Sequence, residues 1–490
     1  MNPLLLNELS SESSLPQYLQ IYHQFRQLIL DGKLLPGERL PATRSFAAEI
    51  GVSRNTIKAA YEQLQSEGYV ETSRGGGTRV CQGLPKPLSG ERSDTLTQGK
   101  DAVSLSDAAE RMLGSYRTLN RKSNLLLSPG RPAFDLFPRS AWARSVSKAA
   151  KEMELFNSDP DGAGHPLLRR EIAEHLRKTR GVLADESNIF VFNGSQQALD
   201  YCFKLLLNEG DDVAIESPGF PGLDGALRMQ NAKLSYLLAD KDGFPVEQLI
   251  EQNRRYRAVL LTPSRNFPLG YTLSLARRLK LLDWADTAGS WIIEDDYDSD
   301  YVFDDQPITA MQGLRSSSRV IYAGTFSRSM FPSIRLGYLV VPDVLKGSFS
   351  QLRRFYDGGV SVLPQLAMGH FMSSGAFARH QRQLRATYRD KRELLDRLMA
   401  EAQIQGLSKA VGASGGMHSV FPLDHAIDGQ LLVAECLSEG LGIKALSEYF
   451  ADSAPFDALI LGYAGYNSDQ LERGVGMLND VMAKFPLSRC

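Results

Sequence analysis

Between residues 123 and 490 the chain alternates short apolar runs with longer amphipathic stretches, and this alternation restricts its possible folds more than any other feature. Ile189–Phe192, Val213–Glu216, Ala258–Thr262, Trp291–Asp295, Val320–Ala323 and Leu336–Val341 have the length and apolar content of strands. Segments of helical length lie between them. Strands that alternate with helices predict an α/β fold, a mostly parallel central sheet with helices on both faces. With 490 residues the chain is too long for one ordinary domain. Residues 12–82 read as a separate helical unit. Residues 83–122, rich in Pro, Gly, Ser and Thr, read as a linker, and 102–118 within it could hold a short helix.

Composition removes several classes of function. The formal net charge is −2, so nucleic-acid binding must come from a local patch. No apolar run approaches the roughly 18 residues of a membrane span. The first residues lack a basic segment followed by a long apolar one, so no secretory signal is expected. Cys81, Cys202, Cys436 and Cys490 are widely spaced, which suggests neither a disulfide framework nor a zinc site. A reducing cytoplasm is the default location.

In the N-terminal unit, Tyr18, Ile21, Tyr22, Phe25, Leu28 and Ile29 share one helical face. Pro36-Gly37 turns the chain, and a short helix is predicted from about Thr43 to Ile50. Gly51 suits a left-handed position after it, and Ser53 suits the N-cap of the next helix. In that helix Ile57, Ala60, Tyr61 and Leu64 fall at core spacing and leave Arg54, Asn55 and Lys58 on the open face. Helix, glycine turn and helix with polar residues at its start form a helix-turn-helix pattern. Val70–Ser73, Arg74-Gly75-Gly76-Gly77 and Thr78–Val80 then read as a hairpin with a glycine tip, a wing. Residues 1–82 carry eight Lys/Arg and eight Asp/Glu, which is compatible with a small helical cap bearing a solvated charged face. Against that reading, Arg44, Arg54, Lys58, Arg74 and Arg79 gather around the second and third helices and the wing.

Leu40-Pro41-Ala42-Thr43-Arg44, Gly51–Thr56, Ala60-Tyr61, Glu67-Gly68 and Gly75–Thr78 resemble the winged helix-turn-helix of GntR-type repressors over about 65 residues. The resemblance implies double-stranded operator DNA as partner. It implies that Arg44, Ser53, Arg54, Asn55, Thr56, Lys58 and Arg74 face that DNA, and that Gly76 lets the wing backbone approach. Ala42 stands where a capping Ser is usual, and Thr43 is expected to cap instead.

Two segments of the larger part could hold an anion. Asn193-Gly194-Ser195-Gln196 lies where a strand gives way to a helix, whose first amides are free. Thr325-Phe326-Ser327-Arg328 and Arg335 offer hydroxyls and guanidiniums. Glu294–Tyr301 is an acidic strand end. Asp296, Asp298 and Asp300 mimic a calcium loop, but Tyr301 and Pro307 stand where such a loop needs Gly and Glu, so no metal site is expected. A carboxylate there can instead salt-bridge a heterocyclic nitrogen.

Ser128–Pro132, Gly164–Arg169, Gly194–Leu199, Pro218-Gly219-Phe220, Thr262-Pro263-Ser264, Glu294–Ser299, Gly324–Ser327 and Leu461–Ala464 together resemble the aminotransferase domain of MocR-like regulators, a subfamily of the GntR group. The resemblance runs from about Leu126 to Val481. It implies a fold-type I, pyridoxal-phosphate-dependent-transferase-like domain over 123–490 with a small C-terminal α+β subdomain. It further implies homodimerisation and a sensing role. Asp295 matches the partner of the pyridine nitrogen, Tyr297 the neighbour of the ring hydroxyl, and Phe220 the stacking aromatic. Gly194, Ser195, Gln196, Thr325, Ser327 and Arg335 match the phosphate cup.

The family lysine that bonds covalently to the cofactor is replaced by Arg328. A guanidinium stays protonated and cannot act as the imine-forming amine, and no lysine occurs in 281–345. Arg265-Asn266 replaces the usual His-Gln. No tyrosine occurs in 151–165 and no arginine in 455–470, where the family has them. No catalytic residue is therefore assigned. Arg328 could pair with Asp295 and fill the site, bind the anionic end of another effector, or border a pyridoxal phosphate held without a covalent bond. The reading adopted is a regulator that senses a small anionic effector. An active aminotransferase with an appended DNA-binding module, and a ligand-free dimeric DNA-binding scaffold, remain as alternatives.

Overall fold

The protein is described by a computed structural model that covers residues 15–73, 76–82, 104–114, 125–152, 162–303, 309–315, 319–412 and 415–485. Two compact units make up the chain, Met1–Ser104 and Leu105–Cys490.

The first unit is built from helices α1 (Gln17–Leu30), α2 (Thr43–Glu49) and α3 (Arg54–Ser66), followed by strands β1 (Val70–Ser73) and β2 (Gly77–Val80). Ile21, Phe25 and Leu28 of α1 meet Phe46 of α2 and Ile57, Tyr61 and Leu64 of α3 in one core. Phe25 stacks edge-on against both Phe46 and Tyr61. Gly51 takes a φ of +72° after α2, the left-handed backbone that lets the chain turn sharply into α3. Ser53 caps α3, its Oγ accepting the Thr56 amide at 3.1 Å. The expected cap on α2 is absent. Ala42 occupies the N-cap, no side chain accepts there, and Thr43 is already helical. The short turn into α2 places Thr43 one residue too late to cap. β1 and β2 pair antiparallel from Val70↔Val80 to Ser73↔Gly77, which forms the wing.

The second unit begins with α4 (Asp107–Gly114), a short helix inside the 102–118 stretch. After α5 (Arg139–Ala149) and α6 (Pro166–Arg180) comes a seven-stranded sheet. Its strands are β3 (Ile189–Phe192), β4 (Asp212–Ser217), β5 (Lys233–Leu238), β6 (Ala258–Leu261), β7 (Trp291–Asp296), β8 (Val320–Thr325) and β9 (Gly337–Val340). They lie in the order β3-β9-β8-β7-β6-β4-β5. β5, β4, β6, β7 and β8 run parallel, and β9 runs antiparallel to both β3 and β8. Strand side chains alternate between faces. Phe190, Phe192, Ile215, Leu260 and Ile293 pack with α7 (Ser195–Leu206) and α8 (Gly222–Met229). On the other face Ile189, Val191 and Tyr338 meet α6 and the helix Val362–Ser373, and Val259 and Ile292 meet the helix Leu275–Ala288. Both faces are thus covered, which is why these strands read as unbroken apolar runs.

The C-terminal subdomain carries a small antiparallel sheet, β10 (His418–Pro422), β11 (Lys444–Ala445) and β12 (Ala458–Gly462), in the order β10-β12-β11. The long helix Ala376–Ala402 and the helices Gly429–Ser438 and Ser468–Lys484 pack on it.

Candidate functional site

In the winged unit, Arg44, Ser53, Arg54, Asn55 and Lys58 are exposed and Thr56 is half-buried. Ser53, Arg54, Asn55 and Thr56 all belong to the start of α3, the end that a recognition helix presents to base edges. Lys58 pairs with Glu62 at 3.4 Å, an exposed i,i+4 pair of little strength. Gly76 is half-buried, and Arg74 lies outside the described residues. Arg79 is drawn back onto the Gly37 carbonyl at 3.0 Å. One cation was missed in the sequence. Arg39 is exposed and lies so close to Gly77 that a Cβ there would sit 2.7 Å from its Nε. The signal was an arginine just before the Leu40-Pro41 segment, and only the fold brings it to the wing.

In the second unit, the parallel strands end together, and the candidate residues follow their C-terminal ends, where open α/β sheets bind ligands. Gly194 is the N-cap of α7 with a φ of +97°. Gly337 packs on the Ser195 amide and pairs across the sheet with Thr325 and Phe192. Arg335, itself in left-handed backbone at φ +49°, donates to the Asn193 carbonyl at 2.9 Å. Gly194, Ser195, Thr325 and Arg335 therefore converge around the free amides of the first turn of α7, a place suited to a phosphate. The Thr325 hydroxyl accepts the Ser327 amide at 3.2 Å. Gln196 turns away from this cup, donating to the Gly222 carbonyl at 3.1 Å.

The acidic end of β7 sorts its carboxylates one by one. Glu294 accepts the Met311 and Gln312 amides at 3.0 and 3.2 Å. Asp296 pairs with Arg180 at 2.9 Å and accepts from the Tyr322 hydroxyl. Asp298 faces Arg265 at 3.4 Å, and Asp300 accepts from Gln381 at 2.8 Å. Asp295 differs, because among the described residues neither a hydrogen bond nor an ion pair reaches it; its Oδ1 and the Tyr297 hydroxyl are buried without a partner, as is the Oδ1 of Asp298, whose other oxygen faces Arg265. Burial, then the Asp296 and Asp298 charges, push the Asp295 carboxyl up to about 7 against the pull of Arg328. Two neighbours behave alike. Burial pushes Glu216 and Asp298 up to about 7, outweighing hydrogen bonds from Thr262 and Asn266 in the first case and the Arg265 and Arg328 charges in the second.

Glu216 and Asn266 were not singled out in the sequence as site residues. Glu216 accepts from the Thr262 amide at 3.0 Å and from its hydroxyl, and the Asn266 Oδ1 is buried without a partner. A carboxylate two residues before Pro218, at the end of a strand, was the available signal. His418 was missed too. Burial pushes its imidazole down to about 3, so the ring is neutral, and it bonds the Pro268 carbonyl at 2.8 Å.

Two cavities flank the Phe220 ring. One, of about 290 Å³, has Glu216, Thr262 and Asp295 among its walls. The other, of about 120 Å³, is bordered by Tyr297, Asp298, Arg328 and His418. Arg328 does not pair with Asp295. Its Nη1 donates to the Gly130 carbonyl at 2.7 Å, and among the described residues it forms no ion pair. Gly130 permits this, since a Cβ there would lie 2.2 Å from that nitrogen. The reading in which Arg328 pairs with Asp295 and fills the site is thereby set aside.

A buried carboxylate and a buried phenol with open valences, beside a helix-start cup, fit a phosphorylated pyridine ring. Residues 123–451 match the aminotransferase class I and II family, and residues 17–80 match the gntR family of bacterial regulatory proteins. The chain is 36% identical over 474 residues to the probable rhizopine catabolism regulatory protein MocR of Rhizobium meliloti, covering 96% of this chain and 94% of that protein. The chain belongs to the MocR subfamily of GntR-type transcriptional regulators. Another member, the pyridoxine biosynthesis transcriptional regulator PdxR of Corynebacterium glutamicum, is 29% identical over 486 residues, 98% of each chain. Among solved structures, the α-aminoadipate aminotransferase LysN of Thermus thermophilus, complexed with N-(5′-phosphopyridoxyl)-L-leucine, superposes with a TM-score of 0.70. It shares 24% identity over 77% of this chain and 97% of its own. As in its subfamily, a DNA-binding unit and an aminotransferase-like unit are joined in one regulator. No helix among the described residues is long and apolar enough to cross a membrane.

Proposed function

We propose that this regulator senses a small anionic effector, a vitamin B6 phosphate being the compound the site suits best, and holds it without a covalent bond. The observation that supports this most is the pair of open, buried valences on Asp295 and Tyr297, next to an Arg328 that is turned to a backbone carbonyl. Leaving buried polar atoms unpaired costs about 1–3 kcal/mol each, so a ligand that satisfies them gains that much. A vitamin B6 phosphate, when bound, brings a basic ring nitrogen, a phenolic hydroxyl and a phosphate. Asp295 would hold the nitrogen, Tyr297 the hydroxyl, and Phe220 the ring face. The α7 amides with Ser195, Thr325, Ser327 and Arg335 would hold the phosphate. Gln196 would contribute its backbone amide. The likeness to a regulator named for pyridoxine biosynthesis supports this choice of effector. Arg328 would add a fixed cation and no nucleophile, so the site binds rather than turns over.

The winged unit, proposed to span 12–82, would read an operator through Arg44, the start of α3, and the wing with Gly76 and Arg74. The segment 83–122 would link it to the sensing unit, 123–490. Two copies as a homodimer would present two winged units to two half-sites.

The test is a titration of the wild-type protein with pyridoxal 5′-phosphate, by calorimetry and near-ultraviolet absorbance together, alongside Arg328→Lys. Saturable binding is expected in both, with a borohydride-sensitive imine band only in Arg328→Lys. No heat in either would remove the vitamin B6 reading. An imine band in the wild type would show that another lysine reaches the site.

A further inference from the structure

The 290 Å³ cavity on which Asp295 opens is lined in part by residues far away in sequence. Arg111 and Gly114, at the end of α4, line it together with Arg228 and Tyr236. In sequence α4 stands between the winged unit and the strand–helix core. It lies along α8 with Ala108, Ala109 and Met112 half-buried. No residue of α4 is buried, and eight residues are too few to keep a helix in water unaided. Met112 rests on α8 where Gly225 leaves room, a Cβ at Gly225 falling 3.3 Å from its Cγ. Arg111 donates its Nε to the Arg228 carbonyl at 3.3 Å, a long bond. The Nε of Arg228, next to it, is buried without a hydrogen-bond partner. A short helix that sends no fully buried side chain into the core belongs to the elements that open before the core does.

We propose that α4 is the ligand-reading arm of this regulator: Arg111 forms part of the wall of the Asp295 cavity, so a ring-nitrogen ligand seated on Asp295 fixes α4 on α8, and its departure releases the arm. The inference rests on the reading above that the site takes such a ligand. Because the ligand and α4 would share one cavity, each must stabilise the other by the same factor. A ligand that touches Arg111 shifts the docking of α4 by as much as its affinity differs between the docked and the released state.

The experiment is hydrogen exchange of the 107–114 amides in the full-length protein, with and without saturating pyridoxal 5′-phosphate. In the wild type, exchange is expected to slow by about tenfold on binding. Arg111→Ala removes part of the wall, and Gly225→Leu crowds Met112 on α8 from a position that is not itself part of the wall and adds no charge beside Arg111. Both should abolish the slowing and weaken binding of pyridoxal 5′-phosphate by the same factor of about ten. Ligand binding in the wild type with unchanged exchange in 107–114 would overturn the arm and leave the sensing reading intact. Wild-type affinity in both variants would overturn it equally. No binding to the wild type would remove the sensing reading and the arm together.

Discussion

At the scale of single residues, the site is defined by which carboxylate is left over. Glu294, Asp296, Asp298 and Asp300 each meet a donor or a cation, while Asp295 meets neither and keeps a buried open oxygen. Its carboxyl titrates near 7 in the folded chain and near its ordinary value of about 4 when unfolded. Between these values the folded state holds more protons, so stability falls as pH rises from about 4 to about 7. Asp295→Asn removes that penalty. Ligand-free Asp295→Asn should melt about 2–4 °C higher than wild type near pH 8 and at the same temperature near pH 4. It should also lose affinity for pyridoxal 5′-phosphate. Equal pH profiles for the two proteins would show that Asp295 is an ordinary carboxylate. That Asp295 and Tyr297 stand at the end of a strand, and Gly194 and Ser195 at the start of a helix, was legible from the apolar runs that precede them. The partner of Arg328 was not. It lies 198 positions away at Gly130, and the choice between that carbonyl and a carboxylate is made by side-chain torsions that only tertiary packing settles.

At the scale of elements, strands and helices followed from periodicity. All six expected strands of the sheet are present with ends shifted by two residues at most, because each is buried on both faces and its apolar run is unbroken. The flanking strand β5 was passed over. Its pattern, exposed at both ends and half-buried between except for the buried Leu237, belongs to an edge. α3 was legible from Ser53 and its core spacing. Arg54→Ala should weaken operator binding by about 1–3 kcal/mol, and Lys58→Ala should lower the salt dependence by about one phosphate contact. Binding assays over a range of salt would check both. Unchanged affinity in both variants would mean that α3 is not the reading helix. Arg39 escaped notice because its place beside Gly77 comes from the return of the wing along the 37–40 segment.

At the scale of the whole molecule, the chain is two compact units with separate cores. Units with separate cores need not unfold together. Two thermal transitions are therefore expected, and pyridoxal 5′-phosphate should raise only the one that belongs to the larger unit, by an amount that grows with the logarithm of its concentration. Scanning calorimetry at several ligand concentrations would show this. A single transition that shifts as a whole would mean that the units are thermodynamically welded. The polar, Pro- and Gly-rich stretch after residue 82 suggested a division, and the two compact units part within it, between Ser104 and Leu105. The adherence of α4 to the second unit was not legible, since a helix with no buried residue leaves little trace in its sequence.

Arg328 is anchored by a neutral carbonyl rather than by an opposite charge. Replacing one member of a buried ion pair strands the other, at a cost of several kcal/mol. Here no ion pair is broken; the Gly130 carbonyl loses a donor, and the Asp295 and Asp298 carboxyls lose a nearby positive charge. Under the sensing role proposed above, position 328 is where a lysine, a neutral amide or a small apolar residue would change the chemistry that the site offers a ligand. A set of such variants would give transcriptional switches tuned to different small molecules from a single parent.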